Sequence, residues 1–306
     1  MWSALSIHLT RPHRHRELVE IQHRIKHLQD LERHTHERDV QDRLHRLLAN
    51  SENVYENRKT HDENMESLVP GFGESFLASA EYVNWLSSPG TTLLAHGIPG
   101  SGKSTTTSIV LDHVRRTQGP DAKLAWFFFA RQWRDPGEAR HSLTGVIAAL
   151  TLLLLTEHGA AGHDIPMAPV RLVGDKLEGG AELATADLAQ VMRDLGVPGN
   201  RLFLLFDSIE GAVSDEVRTT LMPQLQDLQA SLGLNIFVTA SLGTGMDELF
   251  PRSISREIRF SAQEMGDYLL HNLNSDRRLS RVVGGTDNQD LREQIIATTV
   301  DLSDGM

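Results

Sequence analysis

Residues 97–104 read Gly97-Ile98-Pro99-Gly100-Ser101-Gly102-Lys103-Ser104, a G-x-x-x-x-G-K-S string, and its surroundings restrict the fold further. Before it lies Thr91-Thr92-Leu93-Leu94-Ala95-His96, β-branched and apolar like a short buried strand; after it, Thr105 to Arg116 has helical character. Strand, glycine-rich loop and helix in that order form a phosphate cradle. The glycines let the backbone curl so that successive N–H groups face phosphate oxygens, and the helix N-terminus adds partial positive charge. Lys103 would reach the β- and γ-phosphates, and Ser104 would offer its hydroxyl to Mg²⁺, a hard ion that prefers oxygen. The chain has five lysines in 306 residues, so the match owes nothing to lysine abundance.

Such a cradle needs a carboxylate on the metal side, commonly at the end of a second buried strand. Arg201-Leu202-Phe203-Leu204-Leu205-Phe206-Asp207 supplies five apolar residues in a row and then the acid. Asp207 would hold Mg²⁺ through a water. Three residues on, Glu210 is the candidate to orient or deprotonate an attacking water. Lys123 to Phe129 and Asn235 to Thr239 read as further buried strands, and Arg256 to Phe260 as a more exposed one, with helical stretches between them. This alternation predicts an α/β fold, a P-loop NTPase three-layer sandwich around a mostly parallel five-stranded sheet. Beyond the sheet, Ser261-Ala262-Gln263-Glu264 is a capping box opening a helix with Met265, Leu269, Leu270 and Leu273 on one face. A last helix is expected over about 289–302.

Residues 1–60 carry 11 Lys+Arg against 9 Asp+Glu and 8 of the 15 histidines. No Gly or Pro occurs from His15 to Asn50; Leu18, Ile21, Ile25, Leu28 and then Val40, Leu44 and Leu47 recur at spacings of three and four. This predicts an amphipathic helical arm over 1–50, a helical hairpin or partner-binding arm with coiled-coil-like spacing not sustained over several heptads. His23 and His27 share a helical face, but no Glu follows His23 where a zinc-binding helix needs one, so they read as solvated histidines. The polar stretch 51–73 reads as a connector. The expected organisation is arm 1–50, connector 51–73, nucleotide-binding core 74–260 and a truncated helical segment 261–306.

Acidic residues outnumber basic ones 41 to 30, a net charge of −11, so there is no global basic field to attract nucleic acid. The absence of cysteine excludes disulfides, iron–sulfur clusters, thiolate zinc and a cysteine nucleophile. The most apolar run, Val146 to Leu155, is too short for a membrane span and reads as a core element. A cytoplasmic protein is the expectation.

The run Phe76 to Trp85, the string His96 to Ser104 and the run Thr107 to Val114 together resemble the nephrocystin-like NACHT domains of fungal NOD-like receptor and ankyrin-repeat proteins. The resemblance extends over about Glu74 to Met306, where Asp304-Gly305-Met306 looks like the start of the family's Gly-Met-Phe segment. It implies a signal-transducing switch of the STAND type: ADP-bound at rest, ATP-bound and self-associating when engaged, alone or with a full-length NACHT partner. Gly97, Gly100, Gly102, Lys103, Ser104 and Thr105 match the phosphate loop and Asp207 the Mg²⁺-side aspartate. Two departures stand out. Where the family commonly has Asp-Ala-Leu-Asp-Glu, this chain reads Asp207-Ser208-Ile209-Glu210-Gly211, losing the last acid; where a strand commonly ends Thr-Ser-Arg, it reads Thr239-Ala240-Ser241. The arginine that would sense the γ-phosphate is missing, and such arginines are worth about 10³ or more in rate. The expected function is therefore an ATP-binding, weakly hydrolysing switch. The alternative is a non-catalytic interaction module, or truncated regulator, that binds nucleotide only structurally. A small-molecule kinase, with Ala130 to Arg134 as a basic lid, is disfavoured, as is a guanine-nucleotide switch, because no Asn-Lys-x-Asp is present. The family's winged-helix and repeat regions are expected to be lacking.

Overall fold

The computed structural model describes residues 23, 26, 27, 35, 38–129, 142–196, 201–211, 217–275 and 289–303. Leu18, Ile21, Ile25 and Leu28, the basic segment 130–134 and the terminal residues 304–306 lie outside them.

Five strands form one all-parallel sheet: β1 (Thr92–Gly97), β2 (Lys123–Phe128), β3 (Leu202–Asp207), β4 (Asn235–Ser241) and β5 (Ile254–Glu257), in the order β2-β3-β4-β1-β5. β2 and β3 are buried at every position. That is why their sequences are continuous apolar runs without polar alternation: helices cover both faces of a parallel sheet. β5 begins two residues earlier than its composition suggests, because Leu93 to His96 of β1 pair with Ile254 to Glu257. Ile258 and Phe260, beyond its end, turn into the core.

The helices are α1 (38–49), α2 (Glu52–Glu66), α3 (Glu74–Leu77), α4 (Ala80–Ser87), α5 (Lys103–Thr117), α6 (Leu143–Ala160), α7 (Met167–Glu178), α8 (Thr185–Asp194), α9 (Met222–Leu232), α10 (Met246–Leu249), α11 (Ala262–Ser275) and α12 (Gln289–Ser303). α6 is long and apolar enough to cross a membrane by length and composition, yet ten of its 18 residues are buried in the core, many of them against β2. Trp85 of α4 donates its indole N–H to the Ile236 carbonyl at 3.0 Å, and Asn235 Nδ2 donates to the Trp85 carbonyl at 2.7 Å, which fixes α4 to β4.

Two features of the N-terminal region differ from the sequence reading. In α1 the apolar face of Val40, Leu44 and Leu47 is buried in the same core as the sheet, and Arg43 donates to Asp175 at 2.6 Å and Glu178 at 2.9 Å on α7. Over these residues the stripe is consumed within the chain and is not offered to a partner. The stretch read as a connector contains the 15-residue helix α2. Composition hides it because its buried face is mostly polar: Val54, Asn57, Thr60, His61 and Asn64. Asn57 Oδ1 accepts from the Phe128 N–H at 2.6 Å, so α2 satisfies the ladder group left open on the edge strand β2.

The capping box is present: Ser261 Oγ accepts from Glu264 N at 3.2 Å, and Glu264 Oε2 accepts from Ser261 N at 2.7 Å. Glu264 also accepts from Gly73 N and Ser75 N at 3.0 Å, tying the start of α11 to the N-terminal end of α3. On α11 Leu273 is buried, while Met265, Leu269 and Leu270 are half-buried.

Candidate functional site

Parallel strands bring their carboxyl ends to one rim of the sheet, and ligands of open α/β folds bind outside that rim. Here the rim holds Gly97 of β1, Asp207 of β3 and Ser241 of β4. The loop 97–102 joins β1 to α5, with Ile98, Pro99 and Gly100 exposed. Gly97 has no room for a side chain: a Cβ there would lie 2.2 Å from Ser101 Oγ. Gly102, the N-cap of α5, has φ +81° and would place a Cβ 2.9 Å from the Phe260 ring. It gives the helix no side-chain acceptor, so the first N–H groups of α5 are left for another acceptor. Ser101 Oγ is buried without a hydrogen-bond partner among the described residues. Lys103 Nζ lies back across the loop and donates to the carbonyls of Gly97 (3.2 Å) and Ile98 (3.1 Å). Ser104 and Thr105, in the first turn of α5, are half-buried.

Asp207 is the centre of the hydrogen-bonding. Ser104 Oγ donates to its Oδ2 at 2.6 Å, while Thr107 Oγ1 (3.2 Å) and Thr239 Oγ1 (2.7 Å) reach its Oδ1. Thr239 in turn accepts from the N–H of Ser208 at 2.8 Å. Ser208 is the sole non-glycine residue with positive φ (+52°) among the described residues, a strained backbone at the end of β3. Burial pushes the Asp207 carboxyl above its usual range, against the hydroxyl donors, with the nearby Glu210 charge adding to the rise.

Glu210 lies in a 3₁₀ turn, Ile209–Gly211, just past β3. Its Oε1 accepts from both the N–H (2.7 Å) and the hydroxyl (2.6 Å) of Ser241. Its Oε2 is buried without a partner among the described residues. The structure thus brings together Gly97, Lys103, Ser104, Asp207 and Glu210, and the position where the family resemblance leads one to look for arginine is occupied by a serine that grips the acid.

Ser104 and Asp207 present oxygen donors already in contact, a donor set suited to Mg²⁺. No cluster of three or more His, Asp or Glu that could hold a metal occurs among the described residues. A metal here would rest on Ser104 and Asp207 together with water and phosphate oxygens, the usual way Mg²⁺ is held. His23 and His27 are helical and exposed. Thr107, Thr239, Ser241 and Asn64, all bonded to site residues or to the first turns of α5, were not singled out from sequence as binding residues. Thr239 and Ser241 had a signal: they are hydroxyl residues at the end of an otherwise apolar strand.

A family model described as Nephrocystin 3, N-terminal, matches residues 71–241, more than half of the 306 residues. The chain belongs to this family. The nephrocystin 3 N-terminal segment opens at Gly71, before α3, and closes at Ser241, so it contains the phosphate loop, Asp207 and Glu210; together with the parallel sheet it establishes a P-loop NTPase-like domain. No curated protein sequence matches the chain significantly. Among solved structures it is similar to domain III of the replication initiation protein DnaA of Thermotoga maritima, at 14% identity over 76% of this chain and 85% of that one, with a TM-score of 0.37. It is also similar to PCH-2 of C. elegans (17% identity, 73% of this chain, 52% of that one, TM-score 0.36). A chain of the HORMA:CdnC:Trip13 complex of E. coli MS115-1 aligns at 13% identity over 85% and 84% of the two chains, with a TM-score of 0.32.

Proposed function

We propose that the chain is an ATP-binding, slowly hydrolysing switch module of the NACHT type, with its nucleotide-binding core within 74–260 and a helical extension over 261–306. The contact between Ser104 Oγ and Asp207 Oδ2 carries the reading. Two groups 103 residues apart meet at 2.6 Å beside a helix N-terminus that lacks a side-chain cap. The backbone N–H groups of Gly100 and of Gly102 to Ser104 would receive the phosphates. Lys103 would leave the carbonyls of Gly97 and Ile98 for the terminal phosphate oxygens, a more strongly charged acceptor. Ser104 and Asp207 would hold Mg²⁺, which would supply neutralisation of the charge that develops on the phosphates.

Glu210 has a defined orientation in this scheme. Ser241 occupies Oε1 with two donors, which leaves Oε2 to accept the proton of a water. Ser241 cannot supply the positive charge of an arginine, so turnover is expected to be slow compared with an arginine-bearing homologue. Release of phosphate from ATP tests this: wild type is expected to turn over slowly, Lys103→Ala to be silent, and Glu210→Gln to fall by about 10² or more with binding retained. Equal rates in wild type and Glu210→Gln would remove the catalytic role of Glu210.

The apolar face of α1 is buried in the core, and this removes one motive for the alternative reading of a partner-binding module.

A further inference from the structure

α2 lies outside the family match, which begins at Gly71, and it is the element that sequence composition made least of. Yet Asn64 near its end is 6% exposed, and its Nδ2 donates at 3.2 Å to the carbonyl of Ser104 and at 3.0 Å to Ser108 Oγ. Ser104 and Ser108 are one turn apart on α5, so a single amide bridges the first and second turns of that helix. Ser104 is therefore held from two directions. Its hydroxyl is fixed by Asp207 of the sheet, and its carbonyl by Asn64 of α2.

α2 is itself anchored two turns earlier. Asn57, 4% exposed, accepts from the N–H of Phe128, the β2 residue directly in register with Asp207. One helix thus connects the strand beside the metal-side aspartate to the helix that carries the metal-side serine. A buried amide bridging two acceptors is costly to undo, because its partners have no water to turn to.

We infer that Asn64 is a positioning residue of the nucleotide site: from α2 it clamps the first turn of α5 and so sets the direction in which Ser104 presents its hydroxyl to the metal. This rests on the functional reading above and extends the nucleotide-binding unit N-terminally, to include α2. Asn64 touches neither phosphate nor metal, so its loss should spare nucleotide binding without metal and weaken the advantage that Mg²⁺ confers.

The test uses the full chain and a fluorescent ATP analogue, titrated in saturating Mg²⁺ and in EDTA, with thermal melts alongside. Wild type, Lys103→Ala, Asn64→Ala, Asn64→Asp and Asn57→Ala are compared. Asn64→Asp keeps the size of the side chain while removing its donor, and it carries the test if Asn64→Ala does not fold. Asn57→Ala is an equally buried change in the same helix that breaks no hydrogen bond to α5. The ratio of the two dissociation constants, EDTA over Mg²⁺, is expected to fall about tenfold in both Asn64 variants, one hydrogen bond's worth. It is expected to fall by much less in Asn57→Ala, whose loss reaches α5 only through α2, even if that variant melts earlier. Wild-type ratios in the Asn64 variants, with binding still abolished by Lys103→Ala, would overturn the role of Asn64 and leave the functional reading standing. An equal fall in Asn57→Ala would reduce α2 to a structural support. Absence of binding by wild type would overturn both.

Discussion

Asp207 is fully enclosed, and three hydroxyl donors do not offset the loss of water around its carboxylate, so burial pushes the carboxyl above its usual range. In the folded chain it holds its proton to higher pH than in the unfolded one, so once pH passes the unfolded value the group costs stability. Asp207→Asn is therefore expected to raise the melting temperature of the nucleotide-free protein, by about 2–4 °C for each kcal/mol relieved, while abolishing the dependence of ATP binding on Mg²⁺. A melt and a titration on the same sample check both; an unchanged or lower melting temperature would contradict the burial argument. At this scale much was legible in the sequence. Lys103, Ser104, Asp207 and Glu210 were picked out because each follows a distinctive apolar run or loop at fixed spacing, and they do converge. Thr107, Thr239 and Ser241 were not read as binding residues: the place of Thr239 and Ser241 at the end of an apolar strand is visible in the sequence, but the acid each meets is fixed only when β4 lies between β1 and β3 in the folded sheet.

Elements with a single-period apolar pattern were legible, and those with polar buried faces were not. β2, β3 and β4 were read to within a residue or two from runs such as Leu202 to Phe206, and the capping box at Ser261 was read outright, since both depend on local pattern alone. α2 escaped because Asn57, Thr60, His61 and Asn64 form its inner face; the burial of Asn57 and Asn64 is compensated by hydrogen bonds to distant segments, which periodicity cannot register. Two predictions belong here. Asn57→Ala leaves the Phe128 N–H unpaired in a buried site and should lower stability by about 1–3 kcal/mol, read as a shifted urea midpoint; a loss under 0.5 kcal/mol would show that the edge is satisfied otherwise. Gly102→Ala combines a left-handed φ with a contact to Phe260 at 2.9 Å and should lower both stability and ATP affinity. Phe260 packs against Phe72 in the core, with ring centroids 4.4 Å apart, so Phe260→Ala costs stability in its own right, and the two substitutions together are expected to cost less than the sum of each alone.

At the scale of the whole molecule, one core runs from α1 through the sheet to Phe260, so α1 and α2 should unfold together with the nucleotide-binding sheet. Two histidines buried in it contribute a pH dependence. Burial pulls His61, with Arg115 close by, and His158, beside Lys123 and His163, down to about 4. The unfolded chain binds these protons near pH 6.5 and the folded chain does not, so between pH 6.5 and 4 the unfolded state holds more protons and stability falls as pH is lowered. Urea midpoints should decline as pH is lowered below about 6.5, and less steeply in His158→Gln. The central claim is that residues 97–104 with Asp207 form a nucleotide site, and the most direct measurement is equilibrium titration of the full chain with ATP, with and without Mg²⁺, beside Lys103→Ala. Saturable binding that is strengthened by Mg²⁺ and lost in the variant is the predicted result; equal binding by wild type and Lys103→Ala, or binding by neither, would contradict it.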